Sequence, residues 1–405
     1  MSINCPDTVK IMIVATKSPW PPRDGGRLAL WLTMQGLAAA GHELALVAPV
    51  ATAAEASNEV TLSTLRRICT PQLVIAAKPS WLVALTGALR DRVALTVARH
   101  RSWPVTQALA QAIDRLRPDV IHVEQLQALA NCAHANTRGI PLVLRMQNIE
   151  SALWQQVASA RLRARPLKIE AKRLRRDETR ALHRATSVIA LTHHDAEALR
   201  VRVDDTQRLR IVAIAPPFPN ELVAASAVDG APAVVLAGSA GWWPNQQGLI
   251  WFTDSVMPLL LSMQPTARAH SYGGARIDRA GVTCHPAPVD ARDAFPVGAI
   301  AAIPLHIGSG IRMRILEAFA RGLPVVATTA AARGLHVRSE HELLIADTPA
   351  AFALAIKRLS EDSMLSAHLI AAGRAYLAEH HDSQRLTRTL VATYQSAIDA
   401  LSEPL

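Results

Sequence analysis

The sequence predicts an α/β protein built as two doubly wound parallel sheets in tandem. Short apolar strands alternate with helical stretches, and the alternation stops at a proline-rich segment and then restarts. The length of 405 residues exceeds one ordinary core, and 50% apolar content is enough to fill two of roughly 200 residues each.

Residues 10–15, Lys-Ile-Met-Ile-Val-Ala, read as the first strand. A Pro/Gly-rich loop follows at 18–26, then helical periodicity over 28–40 that stops at Gly41. Residues 43–48 return to strand and complete a βαβ unit. Further buried strands are expected at 119–123, 140–145 and 187–191, each after a helical stretch, as in a parallel sheet covered on both faces. Pro216, Pro217 and Pro219 interrupt any helix or inner strand, so the linker falls at 215–220, between a domain over 1–214 and another over 221–382. Beyond it, strands are expected at 233–237, 268–272, 282–285, 299–305, 324–328 and 343–346, with helices at 247–261, 311–321 and 350–359. The last segment, 383–405, is expected to be a helix that packs back on the first domain. Sheets of this kind take ligands in the crevice at the carboxyl ends of their strands.

A net charge of +10 points to an anionic partner: a nucleotide diphosphate, a nucleic acid or a phospholipid surface. Aromatics are only 4% and do not interleave with the basic residues, which argues against nucleic acid, since bases need rings to stack on. Residues 161–184 hold ten Lys/Arg against Glu170, Asp177 and Glu178. This is either a basic helix lying on an anionic membrane or a solvated helix with internal ion pairs. Cys5, Cys69, Cys132 and Cys284 are too scattered for a disulfide framework or a zinc site and read as buried thiols. The N-terminal stretch lacks the long apolar region of a signal peptide, and the most apolar run, 249–261, is broken by Asp254 and Pro258. The expectation is a cytoplasmic protein that does not span a membrane.

The richest segment is His306-Ile-Gly-Ser-Gly-Ile-Arg-Met-Arg-Ile-Leu-Glu-Ala-Phe-Ala-Arg-Gly-Leu-Pro-Val-Val-Ala327. A strand, a turn at Gly308, Ser309 and Gly310, and a helix opening near Ile311 expose backbone N–H groups and the positive end of a helix dipole, which together suit a phosphate. Arg312 and Arg314 fall in the first turn, where cations are unfavourable unless an anion is near. Glu317 follows on the same helix. The glycine turn alone also fits an ordinary strand–loop–helix connection with solvated arginines.

Glu317-Ala-Phe-Ala-Arg-Gly-Leu-Pro-Val-Val326 resembles the hallmark of the retaining GT-B glycosyltransferases of family 4. The resemblance implies two Rossmann-like domains facing across a cleft, with Glu317 holding a nucleotide ribose. A second glutamate common eight residues earlier is replaced by Ser309, and the Gly308-Ser-Gly-Ile-Arg-x-Arg form is similar to that of a polysaccharide-assembly subgroup. Ala237-Gly-Ser-Ala-Gly-Trp-Trp-Pro-Asn245 resembles the turn that opens the donor domain there, which implies donor contacts from Gly238, Ser239 and Asn245; Trp242 and Trp243 equally suit a packed core. Arg145-Met-Gln-Asn-Ile-Glu150 resembles the segment Arg-x-His-Asn-x-Glu, placing Arg145, Asn148 and Glu150 on the acceptor side, with Gln147 where histidine is usual. Pro21-Pro-Arg-Asp-Gly-Gly-Arg27 resembles the glycine loop after the first strand and adds Gly25 and Gly26.

The function implied is transfer of a sugar from a nucleoside diphosphate sugar to a glycan or a lipid-linked saccharide, with retention, no cofactor and no metal. The leaving diphosphate would be met by Arg312, Arg314 and the N–H groups from Gly308 to Ile311. The rival readings are a nucleotide-sugar epimerase or hydrolase of the same fold, and a degenerate donor-binding partner protein.

Overall fold

The computed structural model describes residues 8–132, 139–160, 165–203, 209–238, 241–273, 276–288 and 290–402. The chain divides into two compact units. One comprises Met1–Pro21, Gly26–Pro217 and Ser383–Leu405, the other Pro22–Gly25 and Phe218–Asp382.

The first unit is a seven-stranded parallel sheet in the order β3-β2-β1-β4-β5-β6-β7, with β1 (Lys10–Val14), β2 (Glu43–Val50), β3 (Thr70–Ile75), β4 (Val120–Glu124), β5 (Leu142–Met146), β6 (Ser187–Ala190) and β7 (Arg210–Ala213). Successive side chains point to opposite faces. Met12, Val14, Ala45 and Val47 join one core with Leu109 and Ile113, while Ile11, Ile13, Leu44 and Leu46 join the other with Leu390 and Tyr394. Both faces are therefore dry, and the strands read as continuous apolar runs. The edge strands β3 and β7 were not expected: Pro71 within β3 argues against an inner strand, and the structure places it at the sheet edge, where proline is tolerated.

Helix Ser383–Ser402 belongs to this first unit and supplies Leu390, Val391, Tyr394 and Ala397 to its core. The carboxylate of Glu124 only accepts, so His122 Nε2–H donates to it at 3.0 Å, and His122 Nδ1 accepts from the Tyr394 hydroxyl at 2.7 Å. Burial holds the His122 pKa below its ordinary value, and it pushes the Tyr394 hydroxyl well up.

The second unit is a six-stranded parallel sheet in the order β10-β9-β8-β11-β12-β13, with β8 (Ala233–Ala237), β9 (Arg268–Tyr272), β10 (Val282–His285), β11 (Ile300–Ile303), β12 (Val325–Ala327) and β13 (Leu344–Ile345). The expected helix at 247–261 is longer and interrupted: Trp243–Trp251 and Met257–Met263 flank a π turn at Phe252–Val256. Pro258 has no N–H and its ring crowds the carbonyl four residues back, and the wider π turn relieves both.

In each sheet the strand order reverses at one point, between β1 and β4 in the first unit and between β8 and β11 in the second. Loops leave such a point in opposite directions and open a crevice at the carboxyl edge. No helix among the described residues is long and apolar enough to cross a membrane. Cys69, Cys132 and Cys284 are free thiols, Cys132 is buried, and burial pushes Cys69 and Cys132 up to about 12; Cys5 lies outside the described residues.

Candidate active site

In the second unit the switch point is formed by neighbouring β8 and β11, paired through Ile300 with Val234 and Ala301 with Val235. After β8 the chain turns at Gly238, whose N–H donates to the Tyr272 carbonyl at 3.1 Å. Asn245 lies across this glycine: a Cβ there would sit 2.8 Å from Asn245 Nδ2, so the close approach requires glycine. Ser239 lies outside the described residues. Helix Trp243–Trp251 then packs on the segment leaving β11, and a Cβ at Gly248 would be 2.5 Å from the Pro304 carbonyl oxygen. Gly248→Ala is expected to push that backbone away and lower stability by about 1–3 kcal/mol, measured as a shift in the urea midpoint at unchanged slope.

After β11 the turn carries buried Ser309 and then Gly310 at φ +69. The helix opens two residues later than the sequence suggests, over Met313–Ala320, with Arg312 as its N-cap at φ −84, ψ 89 and no side-chain cap bond. Arg312 folds back instead: its Nη2 donates to the Ser309 carbonyl, and it covers Gly308, where a Cβ would meet Nη2 at 2.6 Å. Its guanidinium lies 5.5 Å from the centre of the Trp242 ring, a cation–π contact that joins the turn after β8 to the turn after β11. Trp242 is half-buried and supports this cation; the sequence left its role open between core and site. Ile311 is half-buried between Gly310 and Arg312.

Arg314 and Glu317 have other neighbours. Glu317 is 1% exposed, with Oε2 2.6 Å from Arg314 Nη1 and Oε1 3.1 Å from Arg321 Nη2. Both guanidinium groups lie over the Phe295 ring at 5.8 and 5.7 Å. Arg321 was not singled out from sequence; its place four residues after Glu317, one helical turn on, was the available signal. Gly25 also belongs to this unit, and a Cβ there would lie 3.1 Å from Met313 Cβ at the helix start.

In the first unit the carboxyl edge at β1, β4 and β5 holds a buried polar network. Gln147 donates to Glu124 Oε1 at 2.7 Å and to the Gly26 carbonyl at 3.2 Å. It accepts from Gln125 Nε2 at 2.7 Å, and Gln125 accepts from Thr16 at 2.8 Å. Arg145 is 3% exposed and is engaged inside, donating to Glu124 at 2.8 Å and to Thr33 at 2.7 Å. Burial disfavours the charged Glu124 carboxylate, but Arg145 and His122 outweigh it and hold its pKa below the ordinary value. Gln147 therefore fixes the glycine loop through Gly26 rather than exchanging protons. Thr16, Glu124 and Gln125 were missed from sequence; the signal was a buried strand, β4, ending in polar residues.

Asn148 and Glu150 follow β5, with Glu150 opening helix Glu150–Ser159. Burial and then the neighbouring Glu178 push the Glu150 carboxyl up to about 7, against hydrogen bonds from Gln127 and Asn148. A folded-state value above the ordinary 4.5 means that the native protein holds this proton more tightly than the unfolded chain. Its stabilising effect is complete below the unfolded value and is lost as the pH rises through about 7. Glu150→Gln, which mimics the protonated group, is expected to match the parent at about pH 4 and exceed its stability by about 1–2 kcal/mol at about pH 8, partial exposure screening the rest. Urea unfolding at the two pH values checks this; an equal difference at both would contradict it.

Among the described residues no group of three or more His, Cys, Asp or Glu side chains is placed to hold a metal ion. Residues 24–217 match the glycosyl transferase 4-like domain, and residues 231–362 match the glycosyl transferases group 1 family. The chain belongs to the group 1 glycosyltransferases. This glycosyltransferase has the GT-B fold. It superposes on the sucrose-phosphate synthase of Thermosynechococcus elongatus with a TM-score of 0.71 at 14% identity, covering 97% of this chain and 100% of that one. Anabaena HepE in complex with UDP-glucose gives 0.64 at 16% identity, covering 96% and 100%. TarM of S. aureus gives 0.71 at 9% identity, covering 97% and 100%. No curated protein sequence matches the glycosyltransferase.

Proposed function

We propose that the enzyme transfers a sugar from a nucleoside diphosphate sugar to a glycan or lipid-linked saccharide, and that the diphosphate binds at the β8/β11 switch point. The observation that carries this reading is Arg312, folded over the Gly308–Ser309 turn and stacked on Trp242. A fixed cation, close-approach glycines and a helix N-terminus converge there, the combination that stabilises a leaving diphosphate without reorganisation. That HepE has been captured with UDP and UDP-glucose supports a uridine nucleotide as the first donor to try.

Arg312 and the N–H groups from Gly308 to Ile311 would take up the charge on the leaving oxygens, the part a divalent cation would otherwise play. Glu317, held by Arg314 and Arg321, uses one lone pair on each oxygen and retains others for a ribose hydroxyl. Gly238 and Asn245 border the same crevice. Gly25, Gly26, Asn148 and Glu150 are assigned to the acceptor, with retention of configuration following the family resemblance.

The basic helix Arg165–Arg184 supports a membrane-bound acceptor. Its carboxylates Glu170, Asp177 and Glu178 are buried, while Arg165, Lys168, Lys172, Arg175 and Arg176 point outward, a face suited to an anionic lipid surface at the cytoplasmic side.

The reading is tested by incubating the enzyme with UDP-sugars, with and without lipid-linked and glycan acceptors, and following UDP release and product. Acceptor-dependent UDP release is expected. Rapid conversion of donor with water alone would favour a hydrolase or epimerase, and donor binding without turnover a degenerate partner protein.

A further inference from the structure

Helix Trp81–Arg90 in the first unit is turned inside out relative to a core helix. Its buried residues are Ala84 and Ala88, while Trp81 is 62% exposed and Leu82, Val83 and Leu89 are each more than half exposed. At about 100° per residue, Leu82, Val83 and Leu89 fall on the side of the helix turned away from the alanines, and Trp81 stands exposed at its first turn. A helix that only needs to pack on its own unit buries its bulky side chains and leaves the small ones out. Trp103, 66% exposed, comes two residues after Arg101, which pairs with Asp91 at the C-terminal end of the same helix.

The patch is ringed by positive charge. Residues 76–103 hold Lys78, Arg90, Arg92, Arg99 and Arg101 against the single acid Asp91. Burial, then Arg99, Lys17 and Arg27, depress the Lys78 pKa, so these cations crowd where the chain enters the apolar helix. The basic helix lies alongside: Asp177 accepts from the Ala94 N–H at 2.6 Å, Glu170 accepts from the Thr96 N–H at 2.9 Å, and Arg180 donates to the Arg92 carbonyl at 3.0 Å. One step round the Arg165–Arg184 helix from that contact come Arg173, Arg176 and the exposed Ile169.

We infer that helix Trp81–Arg90, with Trp103, inserts into the interfacial layer of an anionic phospholipid bilayer while the surrounding arginines and lysines meet the headgroups. Exposed bulky apolar and indole side chains on a helix bordered by cations are what an interfacial helix presents to such a surface. A second copy of the chain fits poorly, because two such patches would bring like charges face to face. The inference deepens the membrane-surface part of the proposed function: it adds an apolar anchor to a contact that the basic helix alone would make by charge.

The experiment is co-sedimentation of the full chain with vesicles of phosphatidylcholine alone and of phosphatidylcholine mixed with phosphatidylglycerol, for the parent and for Trp81→Ser/Leu82→Ser. Both substituted side chains are exposed, so melting temperature and circular dichroism should not change. The parent is expected to bind the phosphatidylglycerol vesicles and to retain part of that binding at high salt, and the double variant to lose on the order of tenfold in affinity. Equal binding by parent and variant overturns the inference and leaves the basic helix as the contact. Failure of the parent to bind overturns both. Concentration-dependent dimers that disappear in the variant, without vesicle binding, would assign the patch to a second copy.

Discussion

Arg312→Ala is expected to lower kcat by about a hundredfold to a thousandfold, the usual loss when one preorganised donor to a developing negative charge is removed. The expectation rests on how the side chain is held. Its Nη2 is tied to the Ser309 carbonyl and its plane is supported by Trp242, so the charge is in position before donor arrives. Arg312→Lys should recover little, because an ammonium on a flexible stem neither stacks on the indole nor spans the turn with a fork of donors. Steady-state rates at saturating donor check this. A variant whose KM rises while kcat stays unchanged would mean that Arg312 only binds donor and does not assist departure of the diphosphate.

Glu317→Ala is expected to destabilise the second unit by about 3 kcal/mol, at the lower end of the range for breaking a buried ion pair. Removing the carboxylate leaves Arg314 and Arg321 facing each other over Phe295. Arg314 is 23% exposed and Arg321 9%, so water reaches the first and relieves part of the cost. Urea unfolding gives the value. The double variant Glu317→Ala/Arg314→Ala should be less destabilised than the sum of the single changes, since the two residues share one network. Strict additivity would show that the pair carries no coupling.

The fold was legible where the sequence repeats itself. Inner strands such as β8 and β11 are buried on both faces, and their uninterrupted apolar runs set their limits. The edge strands of the first unit gave no such signal: β3 carries Pro71 and is only half-buried, and β7 has four residues. Helix Ser363–His380 also escaped, because alanines surround it and only Leu369, Gly373, Tyr376 and Leu377 are buried, which leaves little periodicity to see.

For the site, the turn and helix at 308–320 were visible because glycine and arginine at a helix start conflict with local preference unless an anion is near. Partnerships across the sequence were not visible. Nothing local says that Trp242 lies under Arg312, that Arg321 closes on Glu317, or that Arg145 turns inward to Glu124 beneath the glycine loop. The exposed face of helix Trp81–Arg90 was hidden for a related reason, since an apolar run reads the same whether it faces a core or a surface.

The most direct test of the account is calorimetric titration of UDP into the parent and into Arg312→Ala, with Arg175→Ala on the basic helix as a charge-matched control. The parent and the control should bind UDP alike, and Arg312→Ala should bind it on the order of tenfold more weakly, the loss of one charge-assisted contact to the diphosphate. Equal affinity in all three proteins would place the diphosphate elsewhere and contradict the assignment.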